Sequence, residues 1–185
     1  MVSYGPFNVK WLDWGIIGSS TAGEVISPSV EGMDKDYLAM FMEASGYYDL
    51  FLINPDGYVF YSVTHEADYK TNMVDGKYAS SNLGELVRQV LASKQFAITD
   101  FQPYAPSNNA PAAFIAQPLV NGDKVELIVA LQLPDTTIST IMQERSGMGQ
   151  TGETYLVGKV EDETSYRSRR VVKKGEVGEK KTGQY

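Results

Sequence analysis

Cysteine is absent from this 185-residue chain, and histidine occurs once, at His65. The first absence excludes disulfides, thiolate metal sites and cysteine nucleophiles together. The second leaves catalytic triads and His-rich metal centres without another imidazole to draw on, so no metal or cofactor is expected. Long apolar runs are missing too. Stretches such as Leu127 to Leu131 fall far short of the roughly 20 residues a membrane-spanning helix needs, and residues 1 to 20 lack the basic, apolar, small-residue order of a secretion signal. Basic charge is in deficit. Sixteen Lys and Arg against 23 Asp and Glu give a net charge of -7, which argues against a nucleic-acid partner. The deficit is uneven: Lys159 to Tyr185 holds eight basic and five acidic residues, leaving the remainder at -10. Mixed signs and no aromatic ladder make this tail a solvated segment rather than a nucleic-acid or lipid arm.

What is present suffices for a core, since 43% of the residues are hydrophobic and the length suits one ordinary domain with some surplus. In residues 1 to 33, Trp11, Trp14, Ile16 and Ile17 suggest an arm or partial helix, followed by a Gly/Ser/Thr/Pro-rich stretch from Gly18 to Gly32. Asp34 then reads as an N-cap before Tyr37, Leu38, Phe41 and Met42, with Gly46 placed to end the helix. Next comes GYYDLFLINPDGYVFYSV, Gly46 to Val63. Two aromatic and β-branched segments flank Asn54-Pro55-Asp56-Gly57, where Pro55 presets φ, Asp56 can bond its own backbone and Gly57 accepts a positive φ; this is a β-hairpin.

Residues 64 to 81 are polar and aperiodic, a long loop of the kind that usually carries function. Leu83, Leu86, Val87, Val90 and Leu91 predict a helix over 82 to 93, capped by Ser81 or Asn82. Strands are predicted at 96 to 104, 112 to 120 and 124 to 133, the last two joined through Asn121-Gly122. Pro134-Asp135 ends the last strand, and Asp135 is positioned to cap a helix running to Arg145. The order predicts an α+β fold, one five-stranded antiparallel sheet flanked by helices.

Three blocks, GYYDLFLINPDGYVFYSV, DFQPYAPSNNAPAAFIAQPL at Asp100 to Leu119 and GMGQTGETYLVG at Gly147 to Gly158, resemble the extracytoplasmic Cache sensor modules, PAS-like domains of bacterial chemotaxis receptors, sensor kinases and nucleotide cyclases, in particular the double-Cache type. The resemblance implies a PAS-like module over 34 to 146, and a linker and incomplete start of a second module over 147 to 185. It implies a parent anchored in the cell membrane with this module on the periplasmic side, a small-molecule ligand between the sheet and the 64 to 81 loop, and a possible homodimer. The obvious long N-terminal helix of such modules is not seen in residues 1 to 33. Tyr48 to Ser62 has a faint echo in Thr154 to Ser168, as though the chain holds one module whole and the opening of the next.

For the pocket, Tyr61, His65, Asp68, Tyr69, Asp100, Tyr104 and Phe114 are the candidates, with Asp49 and Gln132 as weaker ones. Aromatic walls bury an apolar part, an Asp pairs an amine, and Tyr hydroxyls give directional bonds, so an amino acid, a carboxylate or an amine is the expected ligand class. Competing structural readings are sheet packing for Tyr61 and Phe114, a turn cap for Asp100 and a surface position for His65. The run Glu161-Asp162-Glu163 lacks the spacing of a calcium loop and reads as an exposed turn. The glycines of 147 to 152 lack the Lys-Ser/Thr of a phosphate loop and read as a joint between modules. A non-catalytic sensor is the first reading. A structural or dimerisation module without ligand is the second, and a carboxylate hydrolase using Asp49 or Asp100 the third.

Overall fold

The computed structural model describes the backbone of residues 2–9 and 12–19, and residues 35–160 and 162–181 apart from the side chains at 137 and 160. Strands β1 (Val2–Val9) and β2 (Leu12–Ser19) pair antiparallel. A hairpin therefore stands where a helix was one expectation, in keeping with the strand preference of Val, Ile and aromatic residues there. From residue 20 on, the small-residue stretch lies outside the described residues, as does Asp34. Helix α1 (Tyr37–Ser45) is capped by Asp36, whose Oδ1 accepts from the Ala39 amide at 2.8 Å. It ends at Gly46 in the left-handed region, φ 72°.

Strands β3 (Asp49–Ile53) and β4 (Val59–Ser62) form the expected hairpin. Its turn is closed by the Gly57 amide on Asn54 O at 2.8 Å and by Asp56 Oδ1 accepting from Tyr58 N at 3.0 Å. Gly57, at φ 92°, also abuts the following loop: a Cβ there would meet Val74 Cγ2 at 2.5 Å. Residues 70 to 73 run beside β4 and the turn, with Lys70 N on Val59 O, Val59 N on Thr71 O and Met73 N on Gly57 O at 2.8–3.0 Å.

Helix α2 (Asn82–Ser93) is capped by Ser81 Oγ, which accepts from Gly84 N at 3.2 Å. The expected strand at 96 to 104 is broken into β5 (Ala97–Ile98) and β6 (Gln102–Tyr104), both paired with β7 (Ala110–Asn121). Thr99 bridges the break, its amide on Phe114 O and its Oγ1 accepting from Phe114 N. β8 (Lys124–Leu133) follows, and the Asn121–Lys124 pairing places Gly122 and Asp123 in the turn, one residue beyond the Asn-Gly expectation. Helix α3 (Asp135–Met142) has Pro134 at the cap position, with no side-chain bond there. Asp135 is therefore not the cap, and its carboxylate pairs with Arg169 at 3.0 Å. A last hairpin joins β9 (Val157–Val160) to β10 (Glu163–Tyr166).

The main sheet runs β4-β3-β8-β7-β5, with β6 also on β7. Counted along the chain as five positions, the third of them split into β5 and β6, this is the order 2-1-5-4-3, antiparallel throughout. The fold is α+β and PAS-like, as expected. Side-chain alternation sends Phe51, Ile53, Phe114, Ile128 and Ala130 to one face, where they meet Leu83, Leu86, Val87 and Val90 of α2. Ala97, Ala112, Ala116 and Ala130 leave room on that face for the helix to approach. Each of its four fully buried aliphatic side chains contributes about 1.5–3 kcal/mol. Leu50, Leu52, Tyr61 and Leu127 line the other face with Leu38 and Met42 of α1.

The C-terminal segment docks on the sheet end. Val177 packs with Phe101, Ala113, Leu133 and Ile138. Arg170 lies over the Tyr155 ring at 4.5 Å and the Tyr166 ring at 5.6 Å while pairing with Glu153. Among the described residues no helix is long and apolar enough to cross a membrane.

Candidate functional site

β3 begins at Asp49 and β8 ends just past Gln132, so cross-strand pairing sets Asp49, Gln132 and Phe114 in one row. Paired residues share a face, and this row lies on the α2 side. Two short segments, 64 to 69 and 104 to 107, close over it. Asp49 is fully buried and holds the first of them. Its Oδ1 accepts from the amides of Leu50, Val63 and Thr64, and its Oδ2 from the hydroxyls of Ser62 and Thr64, all at 2.5–3.1 Å. Burial pushes its carboxyl up, against the opposing pull of those bonds.

Glu66 is clamped next. Tyr48 donates to its Oε1 at 2.7 Å and Ser107 to its Oε2 at 2.6 Å. That bond to Glu66, with burial behind it, pushes the Tyr48 phenol up to about 12. Tyr104 is fully buried at the end of β6, its ring edge-on to Phe114 at 4.8 Å, and Phe114 stands edge-on to Phe51 at 6.1 Å. The Tyr104 hydroxyl donates to Asp68 Oδ2 at 2.6 Å. Burial, then the charge and bond of Asp68, push the Tyr104 phenol up.

Asp68 is also fully buried, yet among the described residues its Oδ1 accepts no hydrogen bond. Burial pushes its carboxyl up to about 6; the Tyr104 bond opposes this, and the charges of Asp49 and Glu66 add to it. Gln132, 4% exposed, has the same deficiency at Oε1. Its orientation follows from the neighbouring hydroxyl. Ser107 has one proton, given to Glu66, so it must accept from Gln132 Nε2 at 3.2 Å, and the amide oxygen is left without a donor. Three carboxylates therefore gather here, and none of the ion pairs among the described residues includes any of them. No group of three His, Cys, Asp or Glu side chains among those residues is arranged to hold a metal. Among the described residues the arrangement offers hydrogen-bond acceptors, an aromatic wall and no paired cation.

Of the residues expected at a pocket, Asp68, Tyr104 and Phe114 meet here, joined by the weaker candidates Asp49 and Gln132. Tyr61 points to the opposite face, where its hydroxyl bonds both carboxylate oxygens of Asp36 at 2.7 and 2.9 Å. Burial, then Asp36, push its phenol up. It borders a separate open cleft of about 560 Å3 between α1 and the end of β4, lined also by Lys35, Glu43 and His65. His65 is exposed and stacks on Tyr69 at 4.2 Å, with Lys70 5.1 Å from the same ring. Asp100 stands apart from the cluster, with both oxygens taken by Arg167 at 2.6 and 2.7 Å. Glu66, Ser107 and Tyr48 were not foreseen. Their contacts span 41 and 18 residues along the chain, and no local pattern marks them.

No family model and no curated protein matches the chain. Among solved structures, the V. cholerae histidine kinase DctB sensor domain is similar at 10% identity and a TM-score of 0.40, over 71% of this chain and 65% of that one. The chain thus spans about two thirds of that neighbour's length.

Proposed function

We propose that this chain is the extracytoplasmic small-molecule-sensing module of a membrane-bound bacterial signalling receptor, of the chemotaxis-receptor or sensor-kinase type. The observation that carries the reading is the buried acceptor cluster between the sheet and the 64 to 69 segment, where Asp68 Oδ1 and Gln132 Oε1 lack donors. Leaving such groups unpaired costs about 1–3 kcal/mol each, which a folding requirement alone does not explain and a bound partner repays. The three sequence blocks quoted above support the same reading, as does the sheet order 2-1-5-4-3.

Binding rather than catalysis suits the carboxylates. Asp49 is tied by five donors, and Asp100 by an arginine, so neither is free to shuttle a proton. Binding would act by population shift. The loop over the site runs into Ser81 and Asn82, whose side-chain amide donates to Asp100 O and Ala112 O at 3.3 and 2.7 Å. Asp100 in turn holds Arg167, and the Arg169 amide donates to Ser139 of α3 at 3.0 Å. A closed loop is expected to favour one placement of this C-terminal segment.

The test is a chimera in which residues 35–181 replace the input module of a well-behaved sensor kinase, assayed across a small-molecule library. Ligand-dependent kinase activity is expected. A folded chimera that answers to no compound, with no compound raising the melting temperature of the isolated chain, counts against a sensor and favours a structural module.

A further inference from the structure

The cluster shows which kind of molecule it would take. The hydroxyls around it are already engaged: Tyr48 and Ser107 serve Glu66, Tyr104 serves Asp68, Ser62 and Thr64 serve Asp49, and Thr71 serves the Asp68 carbonyl. Among the described residues no donor reaches Asp68 Oδ1 or Gln132 Oε1, and both belong to residues at least nine-tenths buried. Asp49 faces Gln132 directly across the sheet, the charges of Asp49 and Glu66 act on Asp68, and Gln132 reaches Glu66 through Ser107. These contacts gather the two residues into one cluster, with the Phe114 and Tyr104 rings beside it.

An anion brought here meets three carboxylates and no paired cation. A carboxylate ligand is disfavoured by like charge, and a neutral apolar one leaves both acceptors unpaired. A metal ion has no converging ligand set among the described residues. A protonated amine supplies both what is missing, positive charge and more than one N–H donor.

Resting on the sensor reading, we infer that the site takes a primary or secondary ammonium compound, its N–H groups donating to Asp68 Oδ1 and Gln132 Oε1 and its carbon body against Phe114. Charge alone is not enough in this arrangement. A quaternary ammonium carries the charge without N–H donors, so it leaves both oxygens as they were.

Thermal shift and calorimetry on the full 185-residue chain at pH 7.5 test this with matched probes. Ethanolamine is set against choline, 2-phenylethylamine against its N,N,N-trimethyl counterpart, and 3-phenylpropionate and succinate serve as anions. At least one primary amine is expected to raise the melting temperature, with its quaternary partner and both anions inactive. Asp68→Asn and Gln132→Leu, each first checked for a native circular dichroism spectrum, are expected to weaken that amine about tenfold or more. Stabilisation by the anions but by no amine overturns the ammonium assignment and leaves a sensor standing. Equal binding of the quaternary partner overturns the donor argument. Amine binding unchanged in both variants overturns the site, and no response to any probe overturns the assignment together with its support for the sensor reading.

Discussion

Arg167 grips Asp100 with Nε and Nη2 together, at 2.6 and 2.7 Å, across 67 residues of chain. The arginine side chain is 5% exposed and the aspartate 45%, so half of the pair is dry and half is wet.

Arg167→Ala is expected to cost about 1–3 kcal/mol, less than a wholly buried pair, because water can solvate the stranded Asp100. Urea denaturation measures it. The Asp100 carboxyl feels burial pushing it up, but the Arg167 bonds outweigh this and hold it below its ordinary value of 3.8. Its stabilisation is therefore complete above that value and is lost as the pH falls through the lower folded one. The variant should lack this acid-limb dependence, and identical acid limbs in the two proteins would contradict the pair's role.

Asp68 works in the opposite sense. Its carboxyl, ordinarily at 3.8, is pushed up to about 6 by burial first and then by Asp49 and Glu66. The folded chain holds that proton where the unfolded chain has released it, so this residue's contribution to stability falls as the pH rises from about 4 to about 6. Asp68→Asn keeps an acceptor for Tyr104 and carries no charge. It is expected to flatten this dependence and to raise stability at pH 7 by up to about 3 kcal/mol. Stability curves from pH 4 to 8 decide it; a variant much less stable than the parent at pH 7 would show that the charge is already compensated.

Tyr61→Phe removes the hydroxyl that meets Asp36, the cap of α1. A loss of about 1 kcal/mol is expected, with amine binding unchanged because Tyr61 faces away from the cluster. Asp36→Ala loses the cap as well, about 0.5–2 kcal/mol. In a double-mutant cycle the two changes should be coupled rather than additive.

Gly57→Ala places a methyl group 2.5 Å from Val74 Cγ2 at a backbone φ of 92°. A loss above 1 kcal/mol is expected. Faster amide exchange at Met73, whose amide donates to Gly57 O, should accompany it. Exchange at Met73 equal to that of the parent would place the strain elsewhere.

Helix α2 and the β3-β4 turn were legible in the sequence because their signals are local. Leu83, Leu86, Val87 and Val90 repeat at helical spacing, and Asn54 to Gly57 encode a turn within four residues. Face assignment was legible only in part. Tyr61 and Phe114 look alike as strand aromatics, and the register that opposes them passes through a bulge at Leu52/Ile53 that the sequence does not announce. Asp68 and Tyr104 were recognisable as polar and aromatic candidates. Glu66 with Ser107 and Asp100 with Arg167 were not, since each contact exists only after the sheet and its covering segments have assembled.

The hydrogen bonds of residues 70 to 73 along β4 and its turn divide the long loop mechanically. Lys70, Thr71 and Met73 are part of the sheet margin in all but name, and they resist opening with it. The piece outside that margin is bracketed by His65 and Lys70, the two residues of the loop at positive φ, 52° and 60°, and is held by the side-chain bonds of Glu66 and Asp68. Between them lie Glu66 and Asp68, so two carboxylates of the cluster belong to the covering segment itself. Lifting that segment would dismantle the cluster it covers, and a molecule bridging Asp68 to Gln132 would fasten it to the strand beneath.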